Sequence, residues 1–405
     1  MKLTLLAGAL LVLPGWSQDP AKAPEETCCA LQQAVLDGRW WLRLRYRVEY
    51  VDQEPFEREA WASTLRTVLG YETAAWHGMS ALVEFENVTA IGNELYDSGI
   101  NGMSQYPKVI DPEGSEVNQV HFKYAPCEAL NVKLGRQVLI YDNHRFVGDV
   151  GWRQNQQTFD AATLTWQQIE QLDVSYAFVD NVNRVFGDDS PDGDHRMASH
   201  LVNAGYDFSG VGRLVAYAYL LDYDTVDANS TDTYGARFAG SPDLGAVDLL
   251  YSAEYAAQVD AGDNPNDVDQ DYVLGELGVR VSGWTLKTGY EVLGGSGDTG
   301  DAFQTPLATL HSFNGWADKF LVTPNEGLKD AYLSAGGKAG DFDFQIAWHD
   351  FRSDADSLHY GTELDAIAAW NVAKAFTVGL KLARYDAEDL ATDTTKAWLW
   401  VGYAP

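Results

Sequence analysis

The chain has few cysteines, few basic residues and no long apolar run, and each shortage excludes a class of protein. Its 405 residues include three cysteines, too few for a disulfide framework. Lys and Arg number 28 against 59 Asp and Glu, and the resulting charge of −31 excludes nucleic acid as a partner. No stretch beyond the N-terminal segment approaches the ~18 consecutive apolar residues of a membrane-spanning helix. With 46% hydrophobic residues, the chain nevertheless has ample material for a large fold.

The eight histidines are scattered, and none shows the spacing of metal ligands on one strand. We therefore predict no metal and no cofactor. Two enzymes are the alternatives: a lipase built on a β-barrel, or a secreted glycosidase. A lipase of that kind would need a Ser and a His paired by a hydrogen bond on one rim of its barrel. The sequence favours a protein that is not an enzyme.

The N-terminus has the features of a secretory signal peptide. Lys2 supplies a positive charge, residues 3–13 are apolar, and Gly15-Trp16-Ser17 places small residues at a cleavage site. We predict a signal peptide over residues 1–17, a linker or short helix over 18–38, and a single β domain over 39–405.

Alternation with a period of two dominates the rest of the chain. Between Trp40 and Tyr50, apolar and aromatic residues occupy the even positions, and Arg43, Arg45, Arg47 and Glu49 occupy the odd ones. A β-strand sends these two sets to opposite faces. In a soluble sandwich the apolar face would be core, whereas in an outer-membrane barrel it would meet lipid while the charged face lines a wet lumen.

The connections favour the barrel. Eighteen strand-like segments are recognisable, near 40–50, 60–71, 80–87, 117–124, 129–140, 158–166, 171–179, 199–208, 213–221, 233–239, 246–258, 271–280, 284–291, 328–336, 342–349, 361–370, 376–385 and 396–404. Connections after the odd-numbered segments are mostly long, and those after the even-numbered segments are short. Short periplasmic turns and long outer loops are typical of outer-membrane barrels. We predict an all-β, transmembrane, antiparallel up-and-down barrel of about 18 strands, with 16 as the alternative count.

Aromatic residues cluster at the ends of these segments, as girdles at the two membrane interfaces would require. A soluble β-propeller, by contrast, would repeat a motif at a fixed period, and no such repeat is present. A soluble secreted β protein is therefore the less favoured fold, and the expected location is the bacterial outer membrane.

Basic residues fall mainly on the strands, while acidic residues concentrate in the long connections. A charge on the lipid-facing midplane costs ~2–4 kcal/mol for Arg or Lys, so basic side chains on strands should point inward. The strand residues concerned are Arg43, Arg45, Arg47, Arg66, Lys123, Lys133, Arg136, Arg213, Arg237, Arg280, Lys287 and Lys381. A lumen rich in such groups would select anions. Alternatively, pairs with Glu49, Glu84 and Glu86 would only brace the wall.

Two stretches are specific enough to suggest a family. The first begins Lys133-Leu-Gly-Arg136-Gln137 and continues through Asp142, Arg145 and Arg153 to Asp160; the second runs from Asn314-Gly315-Trp316 to Asp330. Both resemble the alginate-export family of outer-membrane β-barrels. The resemblance implies a monomeric, eighteen-stranded barrel with an electropositive pore, which in the best-known members passes the polyuronate alginate to the cell surface.

The resemblance also implies roles for particular residues. Arg136 and Gln137 would face the lumen. Asp142, Arg145, Arg153 and Asp160 would belong to or flank a loop that folds toward the constriction. Residues 316–330 would form a second loop inside or over the barrel, with Lys319 as a contact. Guanidinium groups are the natural partners of uronate carboxylates.

The sequence therefore predicts an outer-membrane channel that passes an anionic solute, a polyuronate or other acidic saccharide. A general diffusion porin without alginate specificity is the alternative. The expected pore residues are Arg43, Arg45, Arg47, Arg66, Lys133, Arg136, Asp142, Arg145, Arg153, Asp160 and Lys319. The expected partners are an anionic carbohydrate or small anion, outer-membrane lipid with lipopolysaccharide, and a periplasmic export scaffold.

Overall fold

The computed structural model describes residues 23–405, with side chains from residue 30 onward; the predicted signal peptide, residues 1–17, lies outside the described residues. One helix, α1 (Ala23–Leu36), precedes eighteen strands. The strands are β1 (Arg39–Gln53), β2 (Ala60–Glu72), β3 (Met79–Ala90), β4 (Gly114–Cys127), β5 (Leu130–Gln137), β6 (Thr158–Ile169), β7 (Leu172–Asn183), β8 (Asp194–Phe208), β9 (Gly212–Leu221), β10 (Thr231–Gly240), β11 (Asp248–Asp260), β12 (Asp269–Val281), β13 (Trp284–Leu293), β14 (Leu328–Ala339), β15 (Phe342–Arg352), β16 (His359–Ala373), β17 (Phe376–Ala387) and β18 (Thr394–Tyr403). Single-turn 3-10 helices lie at Asp227–Asn229 and Leu310–Ser312.

The sheet closes on itself because β1 pairs with both β2 and β18. Tyr46 lies opposite Leu65 on β2 and opposite Val401 on β18. Every other strand pairs antiparallel with its neighbours in sequence. Closure leaves no strand edge with unpaired backbone groups, which a bilayer requires. The predicted all-β barrel of eighteen strands is confirmed, and the alternative count of sixteen is wrong.

The two faces of the wall differ as the alternation predicts. On β1, Arg47 and Glu49 are buried inside, whereas Trp40 and Tyr46 are exposed outside. Large apolar side chains are likewise exposed on the outer face around the barrel, for example Leu134 and Leu277. An exposed apolar band of this kind is the surface that lipid covers.

Connection lengths distinguish the two ends of the barrel. At one end, six of the turns between strands have two or three residues, as at 128–129 and 282–283. At the other end, the connections include 91–113, 138–157 and 294–327. The short-turn end is the periplasmic one. Helix α1 ends there, where the Ala74 amide donates to the Ala34 carbonyl at 2.9 Å. Among the described residues, no helix has the length and apolarity needed to cross a membrane.

Two long connections fold into the barrel, and we call 138–157 and 294–327 the inner loops. Phe146 of the first packs against the wall residues Tyr217 and Tyr272, at ring distances of 5.1 and 5.3 Å. Phe320 of the second packs against Phe351 at 4.5 Å. Residues from both loops and the wall form one continuous apolar cluster. The outer half of the lumen is therefore occupied by packed protein.

Candidate functional site

Arg45 and Arg47 on the lumenal face of β1 hold the first inner loop in place. Arg45 donates to the Gly151 carbonyl at 2.9 Å and to the Gln154 side chain at 3.0 Å. Arg47 donates to the Trp152 carbonyl and pairs with Asp111, and its side chain is fully buried. Arg47 therefore anchors the loop and is not accessible to a solute.

Arg153 joins the two inner loops to each other and to the wall. Its guanidinium lies 3.2 Å from Glu49 on β1 and 2.8 Å from Asp318 in the second inner loop. Lys396 on β18 also contacts Asp318, at 2.7 Å. Burial alone would raise the pKa of Asp318, but His311, Lys396 and Arg153 hold it well below its usual value. Asp318 is thus a buried, ionised junction.

Arg145 forms a second junction between the same loops. It lies 2.7 Å from Glu291 on β13 and donates to Thr305 and Asn314 at 3.1 and 3.2 Å. Burial alone would lower the pKa of Arg145, but Glu291 and Tyr272 overcome that effect and raise it. The side chain is buried, so this residue too has a fixed structural contact.

A different set of basic residues faces the water of the lumen. Five of them lie on strands within six residues of the periplasmic end, and each of the five is paired with a carboxylate on the wall. We call these five residues the vestibule cations: Arg43 with Glu84, Arg66 with Glu86, Arg213 with Asp173, Arg237 with Glu254, and Lys287 with Glu276. Arg43 and Arg66 belong to the predicted pore set, and the other three were among the basic strand residues.

In each of these five pairs the cation is the more exposed partner. The side-chain exposures, cation first, are 48% and 1% for Arg43–Glu84, 36% and 15% for Lys287–Glu276, 35% and 20% for Arg213–Asp173, 19% and 2% for Arg237–Glu254, and 15% and 3% for Arg66–Glu86. Arg213 also contacts the more exposed Asp207. The carboxylates lie against the wall, so the periplasmic half of the lumen presents mainly cationic groups to water.

Three further predicted residues lie inside the barrel. Lys133 and Asp142 line one cavity of about 290 Å³ together with Arg213. Asp142 accepts a hydrogen bond from Asn203 at 2.7 Å, and burial raises its pKa. Lys319 in the second inner loop lies over the Tyr385 ring at 6.0 Å, and burial lowers its pKa to about 8.

The predicted lumenal position of Arg136 is wrong. Arg136 pairs with Asp160 on the neighbouring strand, at 2.8 and 3.1 Å. The adjacent Phe159 and Ala161 belong to the interior cluster, so Asp160 and Arg136 lie on the outer face. Gln137 faces inward and accepts from Thr163 at 3.1 Å. Both charges are at the outer end of their strands, where a charge facing outward need not enter hydrocarbon.

Lys381 was among the basic strand residues predicted to point inward but was not in the predicted pore set, and the structure places it at the centre of the site. Its ammonium lies 3.8 Å from the Trp316 ring centre and 4.4 Å from that of Trp152, one from each inner loop. Trp398 of β18 is 5.4 Å away. Alternation predicts that Lys381 points inward, but no local pattern predicts its contacts with Trp152 and Trp316, which are more than sixty residues away in the sequence.

The net charge of the chain resides largely in the connections at the outer end. Together they carry 26 Asp and Glu against six Lys and Arg, whereas the periplasmic turns carry four against one. The large negative charge of the sequence is therefore compatible with a cationic periplasmic vestibule, because the two lie at opposite ends of the barrel.

Comparison with known proteins agrees with this geometry. A family model described as alginate export matches residues 33–299, about two thirds of the chain. The chain belongs to the alginate export family. No curated protein sequence matches it. The family and the closed barrel identify a bacterial outer-membrane protein of the porin-like channel class.

Solved structures show the same fold at low sequence identity. OccAB4 of Acinetobacter baumannii is 14% identical, with a TM-score of 0.73, over 91% of this chain and 98% of that one. OccK9 of Pseudomonas aeruginosa is 14% identical, with a TM-score of 0.72, over 92% and 99%. The outer membrane protein OpdK of Pseudomonas aeruginosa is 14% identical, with a TM-score of 0.67, over 91% and 98%.

Proposed function

We propose that this protein is a channel for an anionic solute, an acidic saccharide such as a polyuronate, which enters through the vestibule cations. The exposure difference within the five pairs carries the proposal. A carboxylate on a passing solute can approach Arg43 or Lys287 from the water, while the wall carboxylate keeps the cation oriented from behind. Preorganised guanidinium and ammonium groups of this kind select anions without binding them irreversibly.

The arginines that hold the inner loops support this function indirectly. Arg45, Arg47, Arg145 and Arg153 fix the inner loops that narrow the lumen, and hence the size of the aperture. Because the guanidinium groups of these residues already contact the loops and the wall, they have few hydrogen-bond donors free to contact a solute. The predicted pore set therefore divides into residues that shape the passage and residues that face the solute.

The test is the ion selectivity of the full-length protein in planar lipid bilayers. The wild type should favour chloride over potassium. The triple variant Arg43→Gln, Arg213→Gln and Lys287→Gln should lower that ratio several-fold, because it removes the three most exposed vestibule cations. Its matched control is the triple variant Arg136→Gln, Arg352→Gln and Arg384→Gln, which removes the same charge from the outer face, where Arg352 and Arg384 are exposed and Arg136 is partly buried.

Two results would overturn the proposal: a wild-type channel that prefers potassium, or an equal change in both triple variants. The second would show that net charge rather than the lumenal cations sets selectivity. A general diffusion porin without saccharide preference would be distinguished by block of the channel current, since it would not be blocked more strongly by an acidic saccharide than by other solutes.

A further inference from the structure

A cavity of about 310 Å³ lies between the second inner loop and the lumenal faces of β10 and β12–β15. Two vestibule cations, Arg237 and Lys287, line it. The loop contributes Trp316, and the wall contributes Tyr332. Three carboxylates, Glu276, Glu291 and Asp330, line it as well. The cavity therefore combines charged groups of both signs with aromatic surface, and its volume is of the size that small-molecule sites have.

Two polar side chains on the cavity wall are available for hydrogen bonding. Gln345 on β15 and Ser334 on β14 both line the cavity, and neither has a side-chain hydrogen-bond partner within residues 30–405. Gln345 is exposed to the lumen. A free amide offers two donors and an acceptor, which is the pattern that neighbouring hydroxyls of a sugar ring can satisfy.

The carboxylates around the cavity are already bonded. Glu291 is held by Arg145, Tyr272 and Asn314; the Tyr272 hydroxyl donates to it at 2.6 Å. Asp330 is 2.9 Å from His349, and the Tyr332 hydroxyl donates to Glu276 at 2.6 Å. Glu291 and Glu276 are also paired with the cations Arg145 and Lys287, which offsets negative charge that would otherwise repel an anion from the cavity.

We propose that this cavity is a binding subsite for one ring of an acidic saccharide. The carboxylate of the ring meets Lys287 and Arg237, its hydroxyls meet Gln345 and Ser334, and its apolar face lies against Trp316. This inference rests on the proposed function and assigns it a specific site. An inorganic anion would contact only the two cations. A neutral sugar would contact only the Gln345 amide, the Ser334 hydroxyl and the Trp316 ring.

Block of the single-channel current by three probes tests the subsite. The probes are trigalacturonate, which has carboxylates and hydroxyls, maltotriose, which has hydroxyls alone, and succinate, which has carboxylates alone. Trigalacturonate should block most strongly. Gln345→Leu should weaken block by trigalacturonate and by maltotriose about three- to ten-fold, the effect of one lost hydrogen bond.

Two further variants test the cation of the subsite and control for the Gln345→Leu change. The double variant Lys287→Gln with Glu276→Gln keeps the net charge constant and should weaken block by trigalacturonate and succinate while sparing maltotriose. Gln167→Leu makes the same change as Gln345→Leu at an exposed position near the periplasmic end of β6, remote from the cavity, and should change none of these values.

The outcomes separate the two proposals. An anion-selective channel in which Gln345→Leu leaves trigalacturonate block unchanged overturns the subsite and retains the proposed function. Equal block by succinate and trigalacturonate also overturns the subsite, because the hydroxyls would then contribute nothing. A channel that prefers potassium overturns the proposed function itself.

Discussion

The ammonium of Lys381 lies 2.7 Å from Nε2 of His311, and this contact connects strand β17 to the second inner loop. The other ring nitrogen of His311 lies 2.6 Å from Asp318, which in turn contacts Lys396 and Arg153. Burial lowers the pKa of His311 to about 3 against the effect of Asp318, so the ring is neutral at neutral pH. A neutral ring that donates to Asp318 can accept from Lys381, and the chain of contacts locks both inner loops to the wall.

We expect Lys381→Met to loosen the inner loops. The substitution keeps the apolar stem against the three tryptophans but removes the ammonium, with its hydrogen bond and its cation–π contacts, at a cost of ~1–3 kcal/mol. Single-channel recordings should show more frequent transitions to larger conductance than in the wild type. Lys338→Met, at an exposed residue near the end of β14, is the control. Traces identical to the wild type would show that Lys381 does not restrain the loops.

Arg145→Met should destabilise the barrel strongly. It leaves Glu291 buried without its cation, and breaking a buried pair costs ~3–5 kcal/mol. The double variant Arg145→Met with Glu291→Gln should recover part of that loss because the uncompensated charge is gone. Arg213→Gln, at a half-exposed pair, should cost below ~1 kcal/mol. The midpoint of thermal unfolding, followed by the gel mobility shift of the folded barrel, measures all three. Equal midpoints for the two single variants would contradict the buried junction.

The charge of Lys319 should depend on pH within an accessible range. Burial and the nearby Lys396 lower its pKa from 10.5 to about 8. Lys319 is therefore charged at neutral pH and loses its charge as the pH rises through 8, while the unfolded chain keeps that proton until about 10.5. Stability should accordingly rise with pH between these values. Anion preference should fall between about pH 7 and 9.5, and Lys319→Met should abolish that fall.

Selectivity should also depend on ionic strength. The vestibule cations act on a solute through water, where the screening length is about 10 Å at 0.1 M salt and about 3 Å at 1 M. The chloride-to-potassium ratio, measured from reversal potentials at both concentrations, should decrease at the higher one. Buried junctions such as Arg145–Glu291 are shielded from salt, so the unfolding midpoint should change much less. A ratio that does not depend on salt would place the selective contacts in a dry constriction.

The fold could be predicted almost completely from the sequence because a barrel wall is a local pattern repeated. Alternation specifies each strand by itself, and the eighteen predicted segments correspond one to one with β1–β18. The clearest difference is at β5, expected over 129–140, which ends at Gln137. Val138, Leu139 and Ile140 continue the apolar pattern, but Leu139 packs in the interior cluster as the chain turns inward. Apolar periodicity cannot distinguish a lipid-facing strand from a loop packed inside the barrel.

The site was predictable only in part, since its contacts join residues far apart in sequence. Arg45 meets Gln154 across 109 positions, and Arg153 meets Asp318 across 165. Nothing local distinguishes these anchors from Arg43, which faces water. The orientation of Arg136, by contrast, was available: Val132 and Leu134 share its parity and face outward. The cost of placing a charge in lipid does not turn Arg136 inward, because this residue lies beyond the apolar band.

The groups at the two ends of the barrel carry charges of opposite sign, and this asymmetry affects entry of an anion differently from the two sides. An anion in the periplasm meets the positive potential of the vestibule cations, which raises the local concentration of the anion. The same anion outside meets the outer connections other than the inner loops, which carry 20 Asp and Glu against three Lys and Arg and lower the anion concentration at the opening. At equal concentrations on the two sides, we therefore expect an anionic solute to enter the barrel faster from the periplasm than from outside.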